Sequence, residues 1–135
     1  NLKTFAEDVD VRLFSLNKGS NFDNIDNVIL GKLEFTYPTD EFVNFEDLNV
    51  ISFFNKFRKM HNAIPTKYAI KGFDVTYDAI SRISSNYDLK EGLKAGRSSR
   101  VASTFNYDKK IFGDFKNTSI FLVKYNENLS VQFLK

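Results

Sequence analysis

Few residues in this chain carry chemistry, and their spacing narrows what that chemistry is. Among 135 residues there is one histidine, His61, and no cysteine. A Ser–His–Asp relay would have to use His61, and no nucleophile motif accompanies it. Its place beside Lys59, at the end of a helical stretch, suits an imidazole to unpaired helix carbonyls. One histidine without cysteine does not make a zinc site. Asp23, Asp26 and the nearby asparagines faintly resemble a calcium loop, but no glycine stands at the turn position and no glutamate closes it. Capping and turn roles account for them better. Asp74 and Asp78 lie at i, i+4, and paired carboxylates do acid–base work when burial drives their pKa values apart. With Lys71 three residues before Asp74 and Arg82 four after Asp78, the expectation is an exposed, salt-bridged helix face. Arg97-Ser98-Ser99-Arg100, with Lys94 and Lys109-Lys110, could cradle an anion. No phosphate-loop glycine pattern lies beside it and no aromatics interleave it, so a mobile, solvated loop is expected. The chain therefore reads as a non-enzyme without metal or cofactor and without a nucleic-acid partner.

The elements that would position these groups are organised around residues 50–83. Val50, Phe54, Phe57 and His61 recur at helical spacing, with Phe53 and Met60 beside them. Ala69, Phe73, Thr76, Ile80 and Ile83 repeat that period, with Tyr77 on the flank, so each apolar set is expected on the buried face of a helix. Phe57 and Phe73 are the expected core anchors. Pro65 separates the two helices, because proline disfavours a helical residue before it and supplies no amide. Asn44 is placed to cap the first long helix.

Upstream, residues 1–8 suggest a closing helix, and Val9–Leu16 and Leu33–Tyr37 read as strands, the second stopped by Pro38. Asp23 or Asn24 can cap a short helix between them. Downstream, Asp88 can cap a short helix over Leu89–Ala95, and Phe105-Asn106-Tyr107 offers a short strand. Segments 119–125 and 129–134 flank Asn126-Glu127-Asn128 as a β-hairpin. The order of elements makes the chain α/β or α+β, with about five strands, short of a complete sheet system.

The length suits one domain at most. Net charge is +2, with 7 Lys/Arg against 10 Asp/Glu in residues 1–65 and 12 against 7 in residues 66–135. The tint could steer an anionic partner, though two solvated surfaces explain it more simply. No apolar run reaches the length of a membrane span. Asn1-Leu2-Lys3-Thr4-Phe5 has no initiator Met or signal pattern and reads as the interior of a longer chain.

The stretch PTKYAIKGFDVTYDAI after FFNKFRKMHNAI resembles the C-terminal part of type I periplasmic solute-binding proteins, the branched-chain amino-acid receptor family. The matching features are Phe53, Phe57, His61, Pro65, Ala69 and Phe73-Asp74-Val75. LEFTYPTDEFVNFED resembles the segment crossing between lobes, and FKNTSIFLVKYNENL the closing strands. The likeness is strongest to a divergent envelope branch, some of whose members are fused to LysM modules or carried as lipoproteins.

The resemblance implies a partial, three-layer αβα fold of ABC-transporter-receptor type, incomplete in this chain. Residues 1–38 would belong to the second lobe, 39–104 to the helical return through the first, and 105–135 to the closing strands. It also implies a location in the periplasm or cell envelope and a small-molecule ligand, without cofactor, bound in an interlobe cleft. The alternative is an envelope scaffold that contacts peptidoglycan and has lost ligand binding. Within the ligand reading, the loop after the first strand would face the ligand. Asn17 and Asn21 would hydrogen-bond it, Lys18 would meet an anionic group, and Phe22 would supply an apolar wall. Where the family often holds an acid for an ammonium group, this chain has Leu16-Asn17-Lys18. Strand edges left open by the missing sheet neighbours are expected to drive self-association of the fragment.

Overall fold

The computed structural model describes residues 10–109, 111 and 113–134. The expected helix over residues 1–8 lies outside the described residues, as does Val9. The chain is a mixed α/β protein that divides into two compact units, residues 1–39 with 120–135, and residues 40–119.

The first unit is built on a three-stranded antiparallel sheet in the order β1 (Thr36–Thr39), β6 (Phe121–Tyr125), β7 (Val131–Leu134). The hairpin read from the sequence is present as β6 and β7, closed by Asn126 N–H donating to the Ser130 carbonyl at 2.9 Å. β1 begins three residues later than the alternation suggested. Glu34 takes φ 44° at the exit of the preceding helix, and only beyond it does the chain extend. Pro38 lies inside β1 and ends nothing. Among the described residues β1 has no second strand beyond it in that sheet, so the amide that proline lacks is not needed for a further ladder.

In place of a full strand over Val9–Leu16, Phe14 makes a single parallel bridge to Thr36, framed by Leu13 N–H to Leu33 O at 2.8 Å and Ser15 N–H to Thr36 O at 3.0 Å. A 3₁₀ turn at Ser20–Phe22 leads to α1 (Asn27–Lys32). The cap of α1 is Asp26, whose carboxylate accepts from Val28 N–H at 2.9 Å, and not Asp23 or Asn24. Leu30, Phe35 and Tyr125 form the core, with Leu13, Phe22, Ile25 and Tyr37 packed on it. Gly31 permits this packing, since a Cβ there would sit 2.5 Å from the Asn126 carbonyl oxygen. Gly31→Ala is expected to cost about 1–3 kcal/mol, the range for overpacking against a backbone that must move. Urea unfolding checks it.

The second unit is organised by α2 (Leu48–His61) and α3 (Lys67–Asn86). Asp47, not Asn44, caps α2 by accepting from Asn49 N–H at 2.7 Å; Asn44 caps the preceding turn, accepting from Glu46 N–H at 3.0 Å. α2 stops at Asn62, which adopts the left-handed conformation that asparagine tolerates. Buried Pro65 follows, and Thr66 caps α3 through Ala69 N–H. α4 (Leu89–Gly92) is capped by Asp88 as expected, but is shorter than read. β2 (Ser98–Ser99) pairs with β3 (Thr104–Phe105), and β4 (Tyr107–Lys109) with β5 (Phe115–Asn117), both antiparallel.

The faces of α3 are where the sequence reading fails. Its buried residues are Ile70, Asp74, Asp78 and Arg82. Phe73 is 41% exposed, Ile80 59% and Ile83 44%. Phe73 is therefore no core anchor; its ring lies against Phe53 (4.6 Å) and Tyr77 (5.5 Å) at the surface, and Phe57 is only half-buried. On α2 the expected side holds better, with Val50 buried and Phe53 and Phe54 packed against it, while Met60 and His61 are exposed. The core beneath the helices joins Val50 and Ile70 to Val101 and Ala102.

Candidate functional site

Among the described residues, most of the charged groups singled out from the sequence are committed to the fold; Lys110 lies outside the described residues. On α3, residues four apart share a face, so Ile70, Asp74, Asp78 and Arg82 form one row. Segment 98–104 lies along that row. The Asp74 carboxylate accepts three successive backbone amides, Val101 at 3.0 Å, Ala102 at 2.9 Å and Ser103 at 2.8 Å. Asp78 accepts from Arg82 Nε (2.7 Å), from Ser98 Oγ (2.5 Å) and from Arg100 Nη2 (2.9 Å). Arg82 also donates to the Gly92 and Gly96 carbonyls and to Ser98 Oγ, and its guanidinium stacks over Tyr107.

Burial pushes the Asp78 carboxyl up, but the hydrogen bonds from Ser98, Arg82 and Arg100 and the Arg82 charge outweigh it and hold it below the usual carboxylate range. Burial, aided by the Asp78 charge, raises the Tyr107 phenol. With its lone pairs filled in this way and its pKa lowered, the Asp78 carboxylate holds no proton in reserve for acid–base work.

Two expectations are thereby corrected. Asp74 and Asp78 are fully buried, not on an exposed face, and of the expected ion pairs Asp78–Arg82 forms while Lys71–Asp74 does not. Lys71 pairs instead with Asp40 (3.1 Å) and Glu41 (3.2 Å). The Arg97–Thr104 segment is not a solvated loop: Val101–Thr104 are buried, Arg100 is bound to Asp78, and Arg97 Nε donates to Thr104 Oγ1 at 3.1 Å. The reason is one of accounting for amides. A buried segment with three unpaired N–H groups needs an acceptor, and Asp74 supplies it. A hollow of about 230 Å³ lined by Val43, Ile70, Lys71 and Ser103 adjoins this segment. It is smaller than the roughly 300–1,000 Å³ of ordinary ligand pockets.

The residues of the first unit tied to a ligand by resemblance stand differently. Lys18 is exposed, and its Nζ donates to Tyr125 Oη at 2.8 Å while lying 5.3 Å from that ring's centre. The Tyr125 hydroxyl, outweighing partial desolvation, raises the lysine pKa above its ordinary value. Beneath them is an aromatic stack: Phe22 on Phe35 at 4.4 Å, Phe35 on Tyr37 at 5.5 Å, and Tyr37 near Tyr125 at 6.5 Å. Burial raises the Tyr37 phenol. Phe22 thus belongs to the floor of this cluster. Asn21 is exposed on the 3₁₀ turn, and Asn17 is exposed with its Oδ1 over Gly19. The structure brings Lys18 and Phe22 to one aromatic cluster and leaves Asn17 and Asn21 on the same short loop. Tyr37 and Tyr125 are the members sequence reasoning missed. Tyr125 lies 107 residues from Lys18, and nothing local ties the two.

No family model matches the chain, and no curated protein matches it. Among solved structures, the chain is similar to an ABC transporter substrate-binding protein from Desulfitobacterium hafniense in complex with Leu, at 16% identity and a TM-score of 0.48. The likeness covers 99% of this chain and 48% of that one, so the chain spans about half the length of the protein it matches.

Proposed function

We propose that this chain is part of a non-catalytic, receptor-like module of the bacterial envelope that binds a small polar molecule carrying an anionic group. The observation that carries the reading is the Lys18 ammonium held on the Tyr125 hydroxyl above stacked aromatic rings. An ammonium has three donors, and Tyr125 takes one, leaving two for an anion. Fixing the side chain beforehand removes part of the entropy that binding would otherwise cost. In this reading Lys18 is the anchor, Asn17 and Asn21 bind polar groups at the rim, and Phe22 keeps the floor in place.

A thermal-shift screen with glutamate, aspartate, sugar acids and muropeptides tests it. Stabilisation by one of these acids is expected, with Lys18→Ala weakening it about 10- to 100-fold, the effect of losing a charged hydrogen bond of about 1.5–3 kcal/mol. A flat screen, together with peptidoglycan capture that Lys18→Ala leaves unchanged, would favour the scaffold role over the receptor.

A further inference from the structure

Segment 101–103 keeps one polar group without a partner. The Ser103 amide donates to Asp74 at 2.8 Å, and the Ser103 carbonyl accepts from Arg100 N–H at 2.9 Å. Its hydroxyl is buried with no hydrogen-bond partner, and it stands alone in this among the buried side-chain polar atoms of the described residues. Such a hydroxyl costs the free fold, whereas alanine would leave both backbone bonds in place. Ser103 also lines the hollow of about 230 Å³ beside α3. The walls of that hollow are fixed in advance. Phe42 N–H donates to the Ala102 carbonyl at 2.8 Å, Glu41 bridges to Ser103 as an antiparallel pair, and Val43 packs on the core that holds Ile70 and Ala102.

We propose that this hollow binds a small uncharged molecule with an apolar body and one carbonyl or hydroxyl oxygen, which takes the Ser103 hydroxyl as its partner. The lining selects that chemistry. Val43, Ile70 and Ala102 offer apolar surface, and Ser103 offers a single polar group in need of a bond. The charges at the rim are already engaged. Lys71 pairs with Asp40 (3.1 Å) and Glu41 (3.2 Å), and the exposed Lys67 holds its ammonium over the Tyr68 ring, 5.1 Å from the centre. An ionised ligand would give up its water for an apolar wall. At ~30 Å³ for each water in the liquid, the hollow has the room of about eight waters, which suits a ligand of about seven non-hydrogen atoms. The site belongs wholly to the second unit and uses none of the residues around Lys18.

Cyclohexanone tests the site, followed by the amide chemical shifts of the isotope-labelled 135-residue chain. Saturable shifts are expected at residues 41–43 and 101–103, with a Kd of about 1 mM, within reach of so small a ligand. Ser103→Ala should weaken binding about 3- to 10-fold, the worth of one neutral hydrogen bond. The same change should leave the melting temperature of the free chain unchanged or higher, because it removes an unsatisfied group. Cyclohexanecarboxylate should bind at least ~10-fold more weakly than the ketone. Lys18→Ala should alter none of this, so failure here leaves the receptor reading standing. No saturable shift up to ~20 mM ketone would overturn the proposal, as would an affinity that Ser103→Ala leaves unchanged. So would a free chain that Ser103→Ala destabilises, since the hydroxyl would then already have its partner in the fold, or a carboxylate that binds as tightly as the ketone.

Discussion

Asp74→Ala is expected to unfold or nearly unfold the second unit. The carboxylate is the acceptor for the amides of Val101, Ala102 and Ser103, and removing it orphans three buried donors at once. Each unsatisfied buried amide costs about 1–3 kcal/mol, so a loss of ~3–9 kcal/mol follows, comparable to the whole stability of many domains. Asp74→Asn should recover only part of it, because one carboxamide oxygen replaces two acceptors and its NH₂ group turns a donor toward donors. Hydrogen exchange reads the effect locally: the amides of residues 101–103 should lose protection before those of the sheet in the first unit. Native-like protection at those three amides in Asp74→Ala would mean that the segment is held by something else.

Asp78→Ala should cost ~3–5 kcal/mol at pH 7, since it leaves the buried Arg82 guanidinium without its counter-ion. Arg100 and Ser98 lose the same acceptor, so segment 98–104 should loosen with it. The pH dependence has a definite sign. The folded Asp78 pKa lies below its unfolded value, so the folded state favours the ionised form. Its contribution is complete above the unfolded aspartate pKa of about 3.9 and is lost as pH falls through the lower folded value. The stability gap between the wild type and Asp78→Asn, measured by urea unfolding, should therefore be wide at pH 5–7 and shrink below about pH 4. A gap that stays constant into acid would show that the charge of Asp78 contributes nothing.

Local chemistry made much of the architecture legible. The α2–α3 pair and its break at Pro65, the Asp88 cap and the hairpin of β6 and β7 all follow from periodicity, capping residues and proline within a few positions of where they act. Cap identities shifted by a few residues, from Asn44 to Asp47 and from Asp23 or Asn24 to Asp26, because several neighbouring Asx residues can each fill that role.

The orientation of α3 was not legible. Its sequence holds two rows at helical spacing, the apolar one through Phe73, Ile80 and Ile83 and the charged one through Asp74, Asp78 and Arg82. The ordinary preference of apolar groups for the interior chooses the first. The fold chooses the second, because segment 98–104 arrives more than twenty residues later with three amides and Arg100 to satisfy the carboxylates. The candidate site divides the same way. Lys18 and Phe22 stand out on a loop after an extended segment, but the hydroxyl that fixes the lysine comes from Tyr125, brought near by sheet pairing of β6 with β1. Short-range propensity is written along the chain; which polar row is buried, and which distant side chain meets a lysine, depends on partners that only the folded backbone brings together.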